Sequence, residues 1–406
     1  MTNDHFSVTC LVCGSSLNTI IDLGMHPFAD SFIPPDMESV SEPVYPLQCG
    51  LCSNCGYIQN VYLTEPEERY NLYPYSYTSS NSNFARSHWD TYALEISKQY
   101  DLKNSKILEI GSNDGYLLNK LAAESQLAIG VDSSRAMSEI ANANGIRTIN
   151  CVFTADSAKA INTDFGNFDI IIANNVFNHS NSPTDFLRGC EMLLSKHGKL
   201  IIEVPYWVSS LDSLKFDQIY HEHISYFTLR SLDYLAKKSN FCITKFDVID
   251  YHGGSLRVEL SNNFSSSEAR EVKTQIEMES DLGIFDLDFY IDFMKRIKVS
   301  RSLFLQRLHG ILATENEKKI VLIGAAAKAN TFINYYKLDS TVIDFITDSS
   351  ESKIGKKTPL SRIPIVDDLA LENMGKVYAI ITSWNISESL RKKLLSINPE
   401  IEYITV

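Results

Sequence analysis

Residues 106–118 read Lys-Ile-Leu-Glu-Ile-Gly-Ser-Asn-Asp-Gly-Tyr-Leu-Leu, and residues 128–134 read Ala-Ile-Gly-Val-Asp-Ser-Ser. The apolar runs Ile107–Ile110 and Ala128–Val131 predict two short buried strands. Between them, Gly111–Gly115 predicts a tight loop, and the leucines that follow recur at helical spacing. Asp132 ends the second strand. This stretch therefore predicts a strand, a glycine loop, a helix and a second strand with an acid at its tip.

Such a unit is suited to bind a ligand. Glycines let the backbone approach closely, and the start of the helix offers free N–H groups. An acid at the second strand tip suits the hydroxyls of a ribose. The spacing fits NAD in principle, but the loop is not Gly-x-Gly-x-x-Gly, and Asp114 would repel a pyrophosphate. The pattern Glu109-x-Gly111-x-x-x-Gly115 resembles the first motif of S-adenosylmethionine (SAM) methyltransferases; the alternative is a Rossmann-like core without a ligand.

Helix and strand patterns alternate after this unit. Phe168–Ala173 and Gly198–Pro205 predict buried strands, and residues 186–194 predict an amphipathic helix between them. Alternation of this kind is typical of a doubly wound parallel α/β sheet, whose ligands lie at the carboxyl ends of the strands. The predicted SAM contacts at that edge are Glu109, Gly111, Asn113, Asp114, Gly115, Asp132, Ser133, Asn174 and Asn175.

Composition narrows the function classes. The 406 residues carry a formal charge of −13, which argues against a protein that binds the phosphate backbone of nucleic acid nonspecifically. No apolar run is long enough to span a bilayer, and the N-terminus lacks the basic and apolar regions of a signal peptide. We expect a cytoplasmic protein of two or three domains without a nucleic-acid or membrane partner. Its eight cysteines are then expected as thiols or metal ligands.

Two Cys-x-x-Cys-Gly motifs predict a zinc site. Cys10 and Cys13 form the first motif, and Cys52 and Cys55 form the second. This spacing lets both sulfurs of a motif reach one tetrahedral ion, and four thiolates leave no open position for catalysis. We expect a structural Zn²⁺ that stabilises a segment with little core of its own. Cys49 is a competing ligand outside this spacing, and redox-active or merely buried thiols are the alternative.

The densest cluster of chemical groups is Phe-Asp-Gln-Ile-Tyr-His-Glu-His-Ile-Ser-Tyr-Phe at residues 216–227. Histidine titrates near neutrality, and a neighbouring carboxylate can orient it, so the cluster suits proton transfer. His221 and His223 flank Glu222, which leaves a second metal site open as an alternative. A structural polar cluster is the third interpretation.

The last third of the chain repeats the first pattern. Residues 286–314 predict a long helix, and residues 319–331 predict another strand, loop and helix. Further strands are expected at Val342–Ile346 and Tyr378–Thr382. The loop has a single glycine, so we do not expect a second dinucleotide. This second Rossmann-like domain can serve a purely structural role.

Six motifs in order carry a resemblance to a known family. They are the two cysteine motifs, Tyr-Pro-Tyr at 73–75, Leu-Glu-Ile-Gly-Ser-Asn-Asp-Gly at 108–115, Asp-Gln-Ile-Tyr-His-Glu-His at 217–223 and His-Gly-Gly-Ser-Leu-Arg at 252–257. Over essentially the whole chain, the sequence resembles the SAM-dependent C-methyltransferases of nucleotide-linked keto-deoxysugars. The resemblance implies a zinc-binding domain (1–66), a class I SAM methyltransferase domain (67–285) and a C-terminal Rossmann-like domain (286–406).

The resemblance also implies a mechanism. The substrate is a nucleoside-diphosphate (NDP) 4-keto-deoxyhexose, and His223, with Glu222 beside it, removes a proton next to the ketone, which we take to be at C3. Tyr220, His179 and Tyr75 are expected to line the sugar, and the hydroxyl of Tyr220 or Tyr75 to stabilise the enolate oxygen.

Further substrate contacts are expected from the C-terminal domain and from the strand ends. Lys328 would meet the diphosphate and Trp384 would stack on the base, with Tyr206 and Arg257 as further substrate-binding residues. The nucleotide and the sugar stay open, and we expect a monomer or a small homo-oligomer. An O- or N-methyltransferase and a non-catalytic SAM-binding zinc-knuckle protein are the rival functions.

Overall fold

The computed structural model describes residues 8–37, 39, 41–71, 77–80, 82–262, 270–315 and 318–405. Its strands are β1 (Asn18–His26), β2 (Tyr45–Leu51), β3 (Ile58–Asn60), β4 (Lys106–Ile110), β5 (Leu127–Asp132), β6 (Thr148–Asn150), β7 (Phe168–Asn174), β8 (Leu194–Pro205), β9 (Ser225–Tyr226), β10 (Cys242–Ile249), β11 (Ser255–Ser261), β12 (Lys319–Ile323), β13 (Phe345–Thr347), β14 (Ile365–Val366), β15 (Val377–Ile381) and β16 (Ile401–Tyr403).

The α-helices are α1 (Pro66–Tyr70), α2 (Asn83–Gln99), α3 (Tyr116–Ala122), α4 (Arg135–Ala143), α5 (Ala155–Phe165), α6 (Pro183–Leu193), α7 (Trp207–Asp212), α8 (Leu229–Lys238), α9 (Arg270–Asp281), α10 (Leu287–Thr314), α11 (Ala327–Tyr336) and α12 (Ser387–Ile397). The predicted contact Tyr75 lies outside the described residues. No described helix combines the length and apolar composition that a bilayer crossing requires.

The chain forms two compact units. The first contains the residues up to Thr19, Cys49–Asp212 and His223–Leu287; the second contains Ile20–Gln48, Ser213–Glu222 and the residues from Asp288 onward. The three predicted domains, 1–66, 67–285 and 286–406, stay a prediction.

A seven-stranded sheet forms the core of the first unit, in the order β10-β11-β8-β7-β4-β5-β6. Strands β8, β7, β4, β5 and β6 run parallel, as predicted from their continuous apolar runs. At the other edge, β11 pairs antiparallel with both β8 and β10. The parallel α/β sheet that the sequence predicted is therefore confirmed and is extended on this side by β10 and β11, which form a hairpin instead of a helical crossover.

Both faces of this sheet are buried. Successive side chains of a strand point to opposite faces, so Ile107 and Ile170 join one hydrophobic cluster while Leu108 and Ile171 join another. The leucines of α3 pack into the same cluster as Ile107, which confirms the predicted helix. Because both faces of the sheet are covered, a ligand site is expected in the loops at the strand ends.

A small antiparallel array in the first unit holds the segment after His223. Cys49–Leu51 at the end of β2 pairs with β3, and β3 pairs with β9. The N–H of Asn60 donates to the carbonyl oxygen of Ile224 at 2.8 Å. The backbone on the C-terminal side of His223 is thereby fixed.

The second unit contains a five-stranded parallel sheet in the order β14-β13-β12-β15-β16. This confirms the second Rossmann-like domain, and α10 confirms the long predicted helix. Strand β13 begins at Phe345, so the predicted start at Val342 was wrong. The N–H groups of Val342 and Ile343 donate to the carbonyl of Asp339 in a turn, which removes them from the sheet.

Candidate functional site

The four predicted zinc ligands lie together in the first unit. One ligand atom from each of Cys10, Cys13, Cys52 and Cys55 lies within 4.8 Å of all the others. Each motif closes on itself, because the N–H of the following glycine donates to the carbonyl of the first cysteine, at 2.9 Å and 2.8 Å. Four thiols at this spacing are the donor set that tetrahedral zinc requires.

Cys49, the competing ligand, lies apart from this cluster. Its buried Sγ is 3.7 Å from the side-chain oxygen of Asn60, and burial raises the pKa of its thiol. The cysteine spacing therefore predicted the four thiols that the structure brings together. Among the described residues, the four-cysteine group is also the only cluster of three or more potential metal ligands, which leaves the His221–His223 metal site without support.

The glycine loop after β4 approaches its neighbours closely. Gly111 has φ +72°, and a Cβ there would lie 2.6 Å from the Cβ of Val176. Gly115 has φ +79° and precedes α3. Both glycines are needed where the loop turns into the helix, because an L side chain rarely adopts this conformation.

Asp132 holds this loop from the end of β5. Its Oδ2 accepts from the N–H of Asn113 and its Oδ1 from the N–H of Ser134, both at 2.8 Å. Burial raises the pKa of Asp132 to about 6, against the lowering effect of these N–H donors. Each carboxylate oxygen has a second lone pair, so Asp132 can still accept from ribose hydroxyls.

A cavity of about 310 Å³ lies beside the loop. Of the predicted SAM contacts, those that line it are Gly111, Asn113, Asp132, Ser133, Asn174 and Asn175. The side-chain amides of Asn174 and Asn175 have no hydrogen-bond partner among the described residues. Buried amides without partners are rare, so these two groups indicate that a polar ligand completes the site. A cavity with an acid and two amides that bond to no described residue fits the ribose and the amino-acid end of SAM.

Two of the predicted SAM contacts, Asn113 and Asp114, have partners within the protein. Asn113 accepts from the N–H of Ser79 at 2.8 Å, and Asp114 accepts from the hydroxyl of Ser80 at 2.6 Å. Both side chains thus hold the segment 77–80 against the loop. Glu109 is buried, and burial, followed by the charges of Asp114 and Asp132, raises its pKa well above the usual value. Contacts of these three residues with SAM stay a prediction.

His179 lies at the cavity together with a second histidine. The ring centroids of His179 and His223 are 5.2 Å apart, and His179 also lines the cavity. The Oη of Tyr70 lies 2.9 Å from Nδ1 of His179. The site therefore combines two imidazoles that the chain separates by 44 positions with a tyrosine that the sequence did not single out for this contact.

A buried arginine stabilises the segment around His179. Arg69 is buried and donates to the carbonyl of His179 at 3.2 Å and to the side-chain oxygen of Asn181 at 2.9 Å. Burial, His223 and Arg69 together hold the pKa of His179 well below its ordinary value. The imidazole of His179 is therefore neutral at physiological pH.

Two predicted substrate contacts in the first unit are engaged in internal bonds. The guanidinium of Arg257 donates to Oε2 of Glu203 at 2.8 Å and to Glu95 at 2.7 Å, and lies over the ring of Tyr92. Tyr206 donates to Oε1 of Glu279 at 2.8 Å. These contacts stabilise the sheet at β8 and β11, and substrate binding by Arg257 and Tyr206 stays a prediction.

The second unit has its own polar cluster. The Nζ of Lys328 lies 4.0 Å and that of Lys215 lies 4.6 Å from the ring centroid of Trp384. The indole Nε1 of Trp384 donates to Oδ2 of Asp217 at 2.7 Å, and Lys328 donates to the side chain of Asn385. Burial lowers the pKa of Lys328 to about 8. Trp384 thus contacts two ammonium groups, and its stacking on the base of the substrate stays a prediction.

The predicted residues Tyr220 and Glu222 also belong to the second unit, where Glu222 is buried and Tyr220 half-buried. Between them, His221 packs its ring against Phe28 and Tyr45 and bonds the carbonyl of Pro46 through Nε2 at 3.2 Å. Burial lowers the pKa of His221 to about 4. His221 is accordingly a neutral core residue.

Three family models match successive parts of the chain. They describe a putative zinc binding domain at residues 10–70, a methyltransferase domain at 84–245 and a C-methyltransferase C-terminal domain at 250–401. C-methyltransferase NovU of Streptomyces niveus is 27% identical over 384 residues, which span 94% of this chain and 90% of NovU. The chain belongs to the SAM-dependent sugar C-methyltransferase family. Its cofactors are SAM and Zn²⁺.

Other similarities cover less of this C-methyltransferase. A ubiquinone biosynthesis O-methyltransferase of Coxiella burnetii is 27% identical over 106 residues, or 26% of this chain and 45% of that protein. A crystal structure of a SAM-dependent methyltransferase from Anabaena variabilis has a TM-score of 0.37 and 15% identity, and covers 45% of this chain and 86% of that one.

Proposed function

We propose that the enzyme transfers the methyl group of SAM to C3 of an NDP-4-keto-deoxyhexose through an enolate that His223 generates. The observation that carries this proposal is the pair of imidazoles, with ring centroids 5.2 Å apart, of which one lines the same cavity as Asn174 and Asn175, whose amides have no partner among the described residues. The alignment with a C-methyltransferase over 94% of the chain supports a carbon acceptor.

The protein must supply a base, because carbon becomes a nucleophile only after it loses a proton. The imidazole of His223 takes the proton from C3, the C–H electron pair forms the C3–C4 double bond, and the carbonyl pair moves to the C4 oxygen. Asp132, Asn174 and Asn175 hold the cofactor, which supplies an electrophilic methyl group when bound. When C3 takes up the methyl group, the methyl–sulfur bonding pair would stay on sulfur and S-adenosylhomocysteine would leave. The ketone then forms again, and the imidazolium of His223 releases its proton to water.

Glu222, Tyr220 and Tyr75 complete the proposed machinery. The carboxylate of Glu222, next to His223 in the chain, would favour the protonated imidazole that follows proton removal. Tyr220 and Tyr75 would line the sugar with His179. This assignment predicts that His223→Ala retains SAM affinity and loses methyl transfer.

We propose that Lys328 meets the diphosphate of the substrate. Lys328 and Lys215 place two ammonium groups around Trp384, and Asp217 balances part of their charge. A diphosphate is the anion that such a pair of lysines suits. We propose that the ammonium groups leave the indole for the diphosphate and that Trp384 then becomes available to the base.

The proposal also includes the expectations from the sequence about location, partners, oligomeric state and further substrate contacts. They are a cytoplasmic enzyme without nucleic-acid or membrane partners, a monomer or small homo-oligomer, and Tyr206 and Arg257 among the residues that contact the substrate.

Product analysis with SAM labelled by ¹³C in its methyl group tests this function. The enzyme is incubated with a panel of NDP-4-keto-deoxyhexoses, and the product is followed by NMR and mass. We expect a methyl group bonded to carbon next to the ketone, in more than one equivalent per enzyme. A methyl group on oxygen or nitrogen would instead indicate the O- or N-methyltransferase, and SAM binding without turnover would indicate a sensor.

A further inference from the structure

Tyr70 and His179 form a pair whose protons can be assigned by chemistry. A neutral imidazole nitrogen is a far better acceptor than a neutral phenol oxygen, because imidazole is the stronger base. The 2.9 Å bond between Oη of Tyr70 and Nδ1 of His179 is therefore an O–H that donates to nitrogen. This arrangement leaves the ring proton of neutral His179 on Nε2, since a bond at one nitrogen fixes the tautomer at the other.

The surroundings keep this imidazole uncharged. The guanidinium of Arg69 is held beside it by bonds to the carbonyl of His179 and to Asn181. A second positive charge at this place would be repelled by Arg69 and by His223 whenever that ring is protonated. His179 thus offers one N–H donor and no charge.

The relative position of the two histidines suits the two ends of an enolising ketone. The hydrogen to be removed and the carbonyl oxygen are attached to adjacent carbons, so the base and the donor must lie side by side. The ring centroids of His223 and His179 lie 5.2 Å apart with their planes tilted by 32°. A neutral imidazole is a known electrophilic partner of a carbonyl in enolising enzymes.

We propose that His179 is a catalytic residue that donates its Nε2–H to the oxygen of the forming enolate, and that Tyr70 is the positioning residue that fixes this tautomer. The inference rests on the proposed function, in which His223 removes the proton. His179 does not transfer its proton in this step: the C–H pair moves into the C3–C4 bond, the carbonyl pair moves onto oxygen, and the N–H stabilises that negative charge by a hydrogen bond.

The tautomer can be read without any substrate. In protein labelled with ¹⁵N at histidine, we expect His179 to show a protonated Nε2 and an unprotonated Nδ1. Tyr70→Phe removes the donor and is expected to give a mixture of both tautomers, whereas Tyr234→Phe on α8 is the matched control and should change nothing. A protonated Nδ1 in the wild-type enzyme would overturn the assignment of Tyr70.

Enolisation gives the second test. The enzyme is held with S-adenosylhomocysteine, so that methyl transfer cannot occur, and exchange of deuterium from heavy water into the substrate is followed by NMR. We expect His179→Leu to slow exchange about 100-fold, the usual effect of losing one donor to an oxyanion. His179→Gln keeps a donor and should retain more of the rate, and Tyr70→Phe should slow exchange about tenfold.

Failure of the proposed function and failure of the role of His179 give different results. If the wild-type enzyme exchanges no deuterium at a carbon next to the ketone, the proposed function fails. If the wild type exchanges and both His179→Leu and Tyr70→Phe exchange at the same rate, the role of His179 fails alone. Should His179→Leu not fold, the tautomer measured in the wild-type enzyme decides the question.

Discussion

The two Rossmann-like regions of this enzyme share the hydrogen bonds between the loop and the acid at the second strand tip. They differ in the side chains around these bonds. In the first, Oδ2 of Asp132 accepts from the N–H of Asn113 at 2.8 Å; in the second, Oδ2 of Asp348 accepts from the N–H of Ala325 at 2.7 Å. The other oxygen of each acid accepts from an N–H two residues further along the chain, at 2.8 Å in both. The loop and the acid at the second strand tip are therefore features of the fold itself.

The side chains around these hydrogen bonds make the difference. The first region has two glycines of positive φ in its loop, a cavity of about 310 Å³, and amides at Asn174 and Asn175 that bond to none of the described residues. In the second, a lone glycine is followed by three alanines and Lys328, whose ammonium group already has Asn385 and Trp384 as partners. The comparison teaches that unsatisfied polar groups at the strand ends, rather than the fold, identify the cofactor site.

Removal of zinc is expected to have the largest effect and to affect the first unit. Structural zinc contributes on the order of 10 kcal/mol to small domains, and the cysteine cluster belongs to the same unit as the cavity. A chelator should lower the melting temperature by more than about 10 °C, since about 1 kcal/mol already moves it by a few degrees. Added zinc should restore the original value. An unchanged melting curve after verified metal loss would contradict the structural role.

Substitution of the loop glycines compares the two regions directly. In Gly111→Ala, the new Cβ would lie 2.6 Å from Val176, a residue of the cavity wall, at a φ of +72°. Strain of this kind costs about 1–3 kcal/mol, so the dissociation constant of SAM, measured by calorimetry, should rise about ten- to hundredfold. Gly324→Ala, with φ +93°, is the matched variant in the second region and should lower stability while SAM affinity stays within about twofold. An equal rise in the dissociation constant of SAM in both variants would contradict this difference between the two regions.

Substitution of one side-chain amide in each region is expected to give a smaller difference of the same kind. Asn174→Ala removes groups that bond to no described residue, so the apo enzyme should keep its stability while SAM binds about tenfold more weakly. Asn385→Ala removes the partner of Lys328 and should do the reverse: lower stability and unchanged SAM affinity. Thermal melts and calorimetry on both variants check this, and weaker SAM binding in Asn385→Ala is the outcome that contradicts it.

The smallest expected effects are two opposite pH dependences. The pKa of Asp132 is raised to about 6, so its negative charge is lost as the pH falls through that value, and SAM should bind a few-fold more weakly at about pH 5.5 than at about pH 7.5. The pKa of Lys328 is lowered to about 8, so its positive charge is lost as the pH rises, and nucleotide affinity should fall above that pH.

Controls for these profiles keep or remove the charge permanently. Asp132→Asn should abolish the acid limb of the SAM profile, and Lys328→Arg should abolish the alkaline limb of the nucleotide profile. A wild-type SAM affinity that does not change between these pH values would show that Asp132 does not carry the effect.

Local patterns predicted β4, β5, β7 and β8 in the first region, β12 and β15 in the second, the glycine loop, and the cysteines that the structure brings together, because each depends on a pattern of residues close together in the chain. The antiparallel edge of β10 and β11 was not predicted, since a strand's apolar pattern does not identify its partner. The bond between Tyr70 and His179 joins residues 109 positions apart, and no spacing rule reaches that far. The tyrosine-rich composition around residue 70 was the sole signal that could have drawn attention to it.

Exchange of deuterium into the substrate tests the central claim most directly. The wild-type enzyme and His223→Ala are each incubated with the NDP-4-keto-deoxyhexose and S-adenosylhomocysteine in heavy water, after calorimetry has shown equal cofactor affinity. The account predicts exchange at C3, next to the ketone, by the wild type and none above background by His223→Ala. Exchange by His223→Ala at the wild-type rate, or no exchange by the wild type, would contradict it.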